Sequence, residues 1–542
     1  MSQFINARED VVTAALDGML RTAGDRLARL DGYPHVKVVV RTDWRRDRVA
    51  LVSGGGSGHE PSHAGFVGRG LLSAAVCGDV FASPSVEAVL AGILAVTGEA
   101  GCLLVVKNYT GDRLNFGLAA ERARAQGLQV AMVIVDDDIA LPELAQPRGV
   151  AGTLFVHKIA GALAEAGEPL ERVAAAARRT IEGVSSIGLS LGTCTVPGSP
   201  PEPRIAEGQA ELGLGIHGEP GVEQIELEGA AQAVERVVDR LAPHLGDGAH
   251  AALLNDLGGT TPLEMSILAD ELARSSIGDR LRWLVGPAPL MTSLDMHGFS
   301  ISVLPIDEAD EASLLAPVEP EAAWPGAREL RAIERVPMPE GLTPDKPVPS
   351  EDASRQAFLT RSLEILIGCE ADLNALDAKS GDGDTGSTLS GAARALQRAL
   401  PSLPLADEAA LLRGIGVELS KTMGGSSGVL MAIFFAAAGD AEADGQSLSQ
   451  ALRSGLQRIS DVGGAVPGDR TLIDALLPAL DALHDGMPAA AAAARAGADG
   501  TASITVARAG RASYVGADQL SGHNDPGAEA VARLFEGLVG DA

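Results

Sequence analysis

The 542-residue sequence predicts two domains of different class: an α/β domain with a largely parallel or mixed sheet, then an all-α bundle or barrel, joined by a proline-rich linker. Three observations carry this. From about 36 to 305, β-branched runs alternate with helical stretches. At 335–350, RVPMPEGLTPDKPVPS holds five prolines in sixteen positions, and proline lacks the donor that ladders and helices need. Beyond it, leucines recur at helical spacing, and strand signal is nearly absent until SITVARA at 503–509. The boundaries that follow are 1–334, a linker at 335–351, and 352–542.

In chain order, VKVVVR (36–41), RVALVS (48–53), CLLVVK (102–107), LQVAMVIV (128–135), AALLND (251–256), RWLVG (282–286) and FSISVLP (299–305) read as strands. Branched and large apolar side chains crowd each of them between turn residues. PSVEAVLAGILAVTG after Ala82 and TPLEMSILADELARS after Thr260 read as helices. In the second half, Leu359, Leu363, Leu366 and Ile367 share a helical face. Leu472, Leu476, Leu480 and Leu483 do so across Pro478, where a kink is expected. The apolar stretch 429–438 is too short to span a bilayer and reads as a buried helix. The alanine-rich run 489–495 reads as a helix as well.

Composition removes several function classes. A net charge of −29 opposes a nucleic-acid or anionic-membrane partner, since both need a basic face. Three Trp, three Tyr and ten Phe are too few for base-stacking surfaces. A nucleotide needs only a local site, with Mg²⁺ supplying the positive charge, so the acidic balance does not oppose one. Cys77, Cys102, Cys194 and Cys369 lie far apart, so neither a zinc site nor a disulfide framework is expected, and a reducing cytosol fits. MSQFINARED has no basic segment followed by an apolar one. The expectation is a soluble cytoplasmic protein.

The sharpest chemical signal is LDAKSGDGDTGST, which puts Asp377, Asp382 and Asp384 within eight residues. Three carboxylates this close repel unless a cation neutralises them, and hard oxygen ligands select Mg²⁺ or Ca²⁺. An EF-hand fails on spacing: counted from Asp382, positions 5, 6 and 12 are Gly386, Ser387 and Ala393. Thr385-Gly386-Ser387-Thr388 follows and enters a helix, so its amides and hydroxyls can face phosphate. Met423-Gly424-Gly425-Ser426-Ser427-Gly428 is a second small-residue loop before an apolar helix. No G-x-x-x-x-G-K-[ST] and no protein-kinase signature occurs.

In the first half, SGGGSGHEPSHAGFVGRG (53–70) follows a predicted strand, so Gly54–Gly58 can wrap a small ligand with His59 at the end of the turn. VVKNYTGDRLNF (105–116) puts Lys107 at a strand end and Asp112 in the following turn, where α/β domains hold ligands. GLGIHGEPG (213–221) satisfies G-x-G-x-x-G through Gly213, Gly215 and Gly218, yet His217 sits inside it. A dinucleotide loop needs a strand before it and a helix after it. The upstream stretch 201–211 is polar, and Glu219-Pro220-Gly221 sets a turn with a carboxylate where phosphate wants none. An ordinary polar loop and a loop built to expose His217 both remain. Together His59, Lys107, Asp112 and His217 offer a base, a cation and a nitrogen nucleophile.

GGGSGHEPSHAGFVGRG, KNYTGDRLNF, GLGIHGEPG, NDLGGTTPLE (255–264) and MHGFSIS (296–302) resemble the substrate-binding K domain of dihydroxyacetone kinases. LDAKSGDGDTGST, TMGGSSG, PGDRT (467–471) and GRASYVG…GHNDPG (510–527) resemble their ATP-binding L domain, in the order of the single-chain enzymes. The resemblance implies ATP-dependent phosphorylation of a terminal hydroxyl of a small ketose, most simply dihydroxyacetone, with its carbonyl held covalently on His217 as a hemiaminal. It implies that His59 and Asp112 orient and deprotonate that hydroxyl, while Lys107 and Gly56-Ser57-Gly58 hold the substrate. It implies two Mg²⁺ ions on Asp377, Asp382 and Asp384. Nucleotide contacts are implied at Thr385, Gly386, Ser387, Thr388, Ser426, Ser427, Gly463, Thr471, Leu472, Arg511, Asp525, Pro526 and Gly527. The L domain is expected to be an eight-helix barrel, and the protein a homodimer in which one chain's L domain serves the other's K domain. Phosphorylation of a C4 ketose such as erythrulose, and FAD-AMP lyase (cyclising) activity at the metal site, are the alternatives. Two departures from the family pattern, the basic loop TDWRRDR (42–48) and His297, leave the ketose open.

Overall fold

The computed structural model describes residues 3–141, 146–200, 202–339 and 348–539. The chain divides into two compact units, 1–334 and 335–542. Of the expected linker, residues 340–347 lie outside the described set.

The first unit is built on two mixed sheets. One contains β1 (Leu27–Arg29), β2 (Val38–Arg41), β3 (Ala50–Ser57), β4 (Ala74–Val80), β5 (Cys102–Lys107) and β6 (Val130–Val135), in the order β1-β2-β4-β3-β5-β6. Its half around β4, β3, β5 and β6 is parallel, and β1 and β2 close it antiparallel. The other contains β7 (Ser185–Ser190), β8 (Gln209–Leu212), β9 (Glu223–Glu226), β10 (His250–Asp256), β11 (Leu281–Ala288), β12 (Gly298–Pro305) and β13 (Ala327–Glu329). Their order is β13-β11-β10-β12-β7-β8-β9, with only β10 and β11 parallel.

Eight helices accompany the sheets: α1 (Val11–Thr22), α2 (Val86–Val96), α3 (Thr110–Ala125), α4 (Thr153–Glu165), α5 (Leu170–Gly183), α6 (Ala230–Leu241), α7 (Pro262–Arg274) and α8 (Glu308–Leu315). Alternation along the strands decides the layering. Leu51 faces a core shared with α4, α5 and the second sheet, whereas Ala50 and Val52 face α2 and α3. Ile187, Leu189 and Leu254 turn the outer face of the second sheet to α6 and α7. Helix α4 lies between the sheets and is buried nearly all round, so it lacks a polar face.

All seven predicted strands and both predicted helices of this unit are present, and further strands are too. SSIGLS became β7 because its serines are satisfied across the sheet, Ser186 Oγ donating to Ser302 Oγ at 2.7 Å. RVALVS runs on as a strand through Ser57, so Gly54 to Ser57 belong to β3 and are not a wrapping loop. A Cβ on Gly54 would stand 2.0 Å from the Val76 carbonyl oxygen, so the glycine permits close pairing with β4.

The second unit is helical: α9 (Ala353–Gly368), α10 (Glu370–Asp377), α11 (Thr385–Ala399), α12 (Glu408–Thr422), α13 (Gly425–Ala443), α14 (Leu448–Gly463), α15 (Ile473–Ala482), α16 (Met487–Thr501), α17 (Ala517–Leu520) and α18 (Pro526–Val539). The eight of ten residues or more, α9, α11 to α16 and α18, each pack on the next, and α18 returns to α9, closing a ring. Neighbours alternate in direction. Gly416 lies against Ala432 while Gly439 lies against Ala409, which makes α12 and α13 antiparallel. The same sense holds where Gly497 of α16 meets Asp474 at the start of α15.

Two expectations fail here. SITVARA is no strand, because the ring offers no partner strand; Val506 is exposed. The apolar stretch 429–438 is helical within α13 but only partly buried: Phe434 and Ala438 are inside, and Val429 is 59% exposed. Among the described residues, no helix is long and apolar enough to cross a membrane.

Candidate active site

Strand ends bring the first cluster together. β3 and β5 are parallel neighbours, so their C-terminal ends place His59 and Lys107 side by side, and Asp112 follows in the first turn of α3. Gly55, with φ of 147°, sits over them: a Cβ there would be 3.3 Å from Asp112 Oδ2 and 3.4 Å from Lys107 Nζ. That conformation favours glycine, and a Cβ would press on the Asp112 carboxylate.

His217 reaches the same cluster from the second sheet, on the loop between β8 and β9. Its ring centroid lies 5.0 Å from that of His59, 5.1 Å from Phe81 and 4.5 Å from Tyr109, all edge-on. Hydrogen bonds fix the loop. Ser293 Oγ donates to the Ile216 carbonyl at 2.6 Å, and Arg148, paired with Asp138, donates to the Gly213 carbonyl at 2.7 Å. A strand does feed this loop, contrary to the expectation from its polar sequence; β8 is an edge-side strand whose Glu211 is buried against Arg204. β9 rather than a helix leaves it, so the dinucleotide arrangement is absent on that count.

The electrostatics separate the groups by role. His59 is fully buried, and burial, Lys107 and His217 together hold its pKa well below 6.5, so it is neutral. Its Nδ1 donates to the Thr292 carbonyl at 2.8 Å, and its buried Nε2 has no hydrogen-bond partner. Burial raises the Asp112 carboxyl against the pull of Lys107 and Ser83, and its Oδ1 is likewise buried without a partner. Lys107 Nζ lies 3.1 Å from His63 Nε2, and burial lowers its pKa against Asp112, Asp137 and Glu60. Ser57 Oγ donates to the Gly78 carbonyl, and the Gly58 amide donates to the Glu60 carboxylate. A Cβ on Gly56 or Gly58 would collide with Ala82 or Phe81, so those glycines let the Phe81 turn approach.

Sequence reasoning missed His63, Phe81, Tyr109, Glu219 and Thr292 as members of this cluster. Four of the five stand inside or next to quoted motifs, but an aromatic ring beside a histidine carries no signal until the sheets are stacked. His297 pairs instead with Glu264 at the start of α7, 2.9 Å away. The loop 42–48 precedes β3 and so lies at its opposite end from His59; Trp44 there donates to the Val96 carbonyl, and Arg48 pairs with Glu165.

In the helical unit, Asp377, Asp382 and Asp384 offer carboxylate oxygens within 4.8 Å of one another. Asp377 is buried and its Oδ2 accepts the amides of Gly383, Asp384 and Thr385 at 3.0–3.2 Å, folding the loop back so that the three acids converge. Such an all-oxygen set suits a hard divalent cation. Because consecutive helices alternate in direction, the starts of α11, α13 and α15 and the end of α14 fall at one rim of the ring. Thr385 to Thr388, Ser426, Ser427, Gly463, Thr471 and Leu472 occupy those positions. Asp525 joins them: its amide donates to Thr501 Oγ1 at the end of α16, its carboxylate caps α18 at the Ala528 amide, and Pro526 opens that helix. Gly527 stands against Leu472. Gly386 is a tight helix contact, since a Cβ there would be 2.0 Å from the Glu370 carbonyl oxygen. Arg511 begins a short turn at Arg511–Tyr514, and its side chain lies outside the described set. Four helix N-termini, three of them with small hydroxyl residues, and an acidic triplet form a rim suited to phosphate and metal.

Comparison with known proteins agrees with both halves. Residues 17–322 match the Dak1 domain and residues 379–540 the DAK2 domain. The chain is 48% identical to a dihydroxyacetone kinase of Citrobacter freundii over 99% of each chain, and 40% identical to a triokinase/FMN cyclase of Rattus norvegicus over 99% of this chain and 98% of that one. The crystal structure of the C. freundii dihydroxyacetone kinase in complex with AMP-PNP and Mg²⁺ superposes with a TM-score of 0.67 at 46% identity, covering all of both chains. With two domain matches in one polypeptide and identity at this level from end to end, the chain belongs to the dihydroxyacetone kinase family.

Proposed function

We propose that the protein transfers the γ-phosphoryl group of ATP to a terminal hydroxyl of a small ketose, most simply dihydroxyacetone, with residues 1–334 taking the ketose and 352–542 the nucleotide. The observation that supports this most strongly is the meeting of half-buried His217, from the second sheet, with the buried His59, Lys107 and Asp112 of the first. His217 presents an imidazole to the ketone carbon, and reversible addition selects a carbonyl compound over glycerol. Lys107 supplies positive charge near the substrate oxygens. His59 Nε2 and Asp112 Oδ1, both buried acceptors lacking a partner, orient the terminal hydroxyl and take its proton.

Asp377, Asp382 and Asp384 would hold Mg²⁺, which neutralises phosphate charge when bound. The rim residues of α11, α13, α15 and α18 would hold the nucleotide's phosphates and base. The four free cysteines suit a reducing cytoplasm. The working form is a homodimer in which one copy's helical domain serves the other's α/β domain, and sixteen proline-rich residues at about 3.1 Å each would reach roughly 50 Å. A second reading, cyclising cleavage of FAD at the carboxylate triplet, is favoured by the triokinase/FMN cyclase relative.

The test is ADP release with dihydroxyacetone, glyceraldehyde and both erythrulose enantiomers, in the native chain and in His217→Ala. Loss of turnover with ATP binding intact is expected; normal turnover in that variant overturns capture on His217. Mixing His217→Ala with Asp382→Ala copies restores activity if domains pair across chains. AMP release from FAD with Mn²⁺ reports the second reading.

A further inference from the structure

We propose that Glu219 is a positioning residue that holds His217 in the tautomer whose Nε2 attacks the ketone. The inference rests on the capture by His217 proposed above, and goes beyond it in naming the group that fixes the ring's tautomer. Glu219 grips its neighbour twice. Its Oε2 accepts the His217 backbone amide at 3.0 Å, and its Oε1 lies 3.1 Å from His217 Nδ1. Burial alone would raise the Glu219 carboxyl, but the hydrogen bond to the His217 ring and the amides bring it to about 2. An ionised carboxylate only accepts, so the proton between the two groups sits on Nδ1. A neutral imidazole carries one N–H, and Nε2 therefore keeps its lone pair.

The loop is shaped around this contact. A Cβ on Gly215 would stand 2.0 Å from Glu219 Oε2, so only glycine leaves room for the carboxylate. The Gly215 amide donates to the Glu219 carbonyl at 3.1 Å, closing the turn. Phe81, Tyr109 and His59 meet the ring edge-on from other directions and hold its rotation. The carboxylate that makes this loop unfit for pyrophosphate is thus the group that serves its histidine.

The chemistry closes without a further reactant. The Nε2 lone pair forms the N–C bond while the carbonyl π pair moves onto oxygen. The ring becomes an imidazolium whose charge faces Glu219. Loss of the Nδ1 proton and gain of one proton by the carbonyl oxygen leave a neutral hemiaminal. A glutamine at 219 can keep the backbone contact but offers no charge, and its amide can donate to Nδ1 and select the other tautomer.

Full-length protein with dihydroxyacetone carrying ¹³C at its carbonyl carbon tests this without nucleotide. The native chain should convert the ketone signal to that of a tetrahedral hemiaminal carbon. Glu219→Gln should lower the bound fraction, and raise the ketose KM, about tenfold or more, the scale seen where a carboxylate orients a metal-ligating histidine. Affinity for ATP and Mg²⁺ should not move. Gly215→Ala, which displaces the carboxylate without removing it, should act the same way and serves where Glu219→Gln does not fold. Nitrogen-15 spectra of His217 should show a protonated Nδ1 in the native chain and mixed tautomers in Glu219→Gln. Full hemiaminal in both variants overturns the role of Glu219 and leaves capture standing. A native chain that forms none at saturating ketose overturns the reading of His217 itself.

Discussion

The carbonyl oxygen of Thr292 stands 2.8 Å from Nδ1 of His59, a bond that joins the loop after β11 in one sheet to the end of β3 in the other. A carbonyl only accepts, so Nδ1 carries the proton and Nε2 faces the cluster as an acceptor.

Burial holds the His59 pKa well below 6.5, with Lys107 and His217 adding to it, so the base form persists at neutral and mildly acid pH. The acid limb of kcat/KM that belongs to His59 should therefore lie below 6.5. His59→Ala should lower kcat by about 10²–10⁴-fold, the usual range for a general base. An acid limb above 6.5 that vanishes in this variant would contradict the assignment.

Asp377 organises the acidic loop, the candidate Mg²⁺ site, through three backbone amides. Asp377→Ala should weaken Mg²⁺-dependent ATP binding by about 10–100-fold while leaving helix content unchanged, as loss of an orienting group does at other metal sites. Calorimetric titration of ATP with and without Mg²⁺ reads this. Chelation should bring the native chain to the variant's level.

Two glycines of α11 should respond in opposite ways. Gly386→Ala puts a Cβ 2.0 Å from the Glu370 carbonyl oxygen and should destabilise the helical unit by about 1–3 kcal/mol through overpacking. Gly391 has nothing within 4 Å of the same position, so Gly391→Ala should stabilise by roughly 0.5–1 kcal/mol. Urea midpoints of the two variants check both signs.

Glu529 ties α18 to α16. Burial alone would raise its carboxyl, yet hydrogen bonds from Arg495, Arg533 and Asn524 bring it to about 2, below the usual value of about 4.3. As pH falls the unfolded chain takes up the proton first, so the stabilisation is full above about 4.3 and fades toward 2. Glu529→Gln should lose roughly 1.5–3 kcal/mol at pH 7, and its deficit should shrink between pH 5 and 2. Melting curves of the two proteins across that range decide it.

Strands such as CLLVVK were legible because both faces of a central parallel strand are buried, which leaves a continuous apolar run. SSIGLS was not, since serine satisfied across a ladder looks like a loop when read alone. Gly54 and Gly386 look like ligand-wrapping glycines in sequence, and the fold gives them a different reason: backbone approaching backbone.

By itself the sequence determined the two textures, the helical periods, the acidic triplet and the candidate groups of the ketose cluster, because each depends on neighbours a few residues apart. Only the tertiary structure decided that β8 feeds the His217 loop, that Thr292 sets the His59 tautomer, and that helix ends separated by as many as 140 positions share one rim. Those relations depend on which strands stack and which helices alternate in direction. That is settled by burial of whole faces, and no local run of residues encodes it.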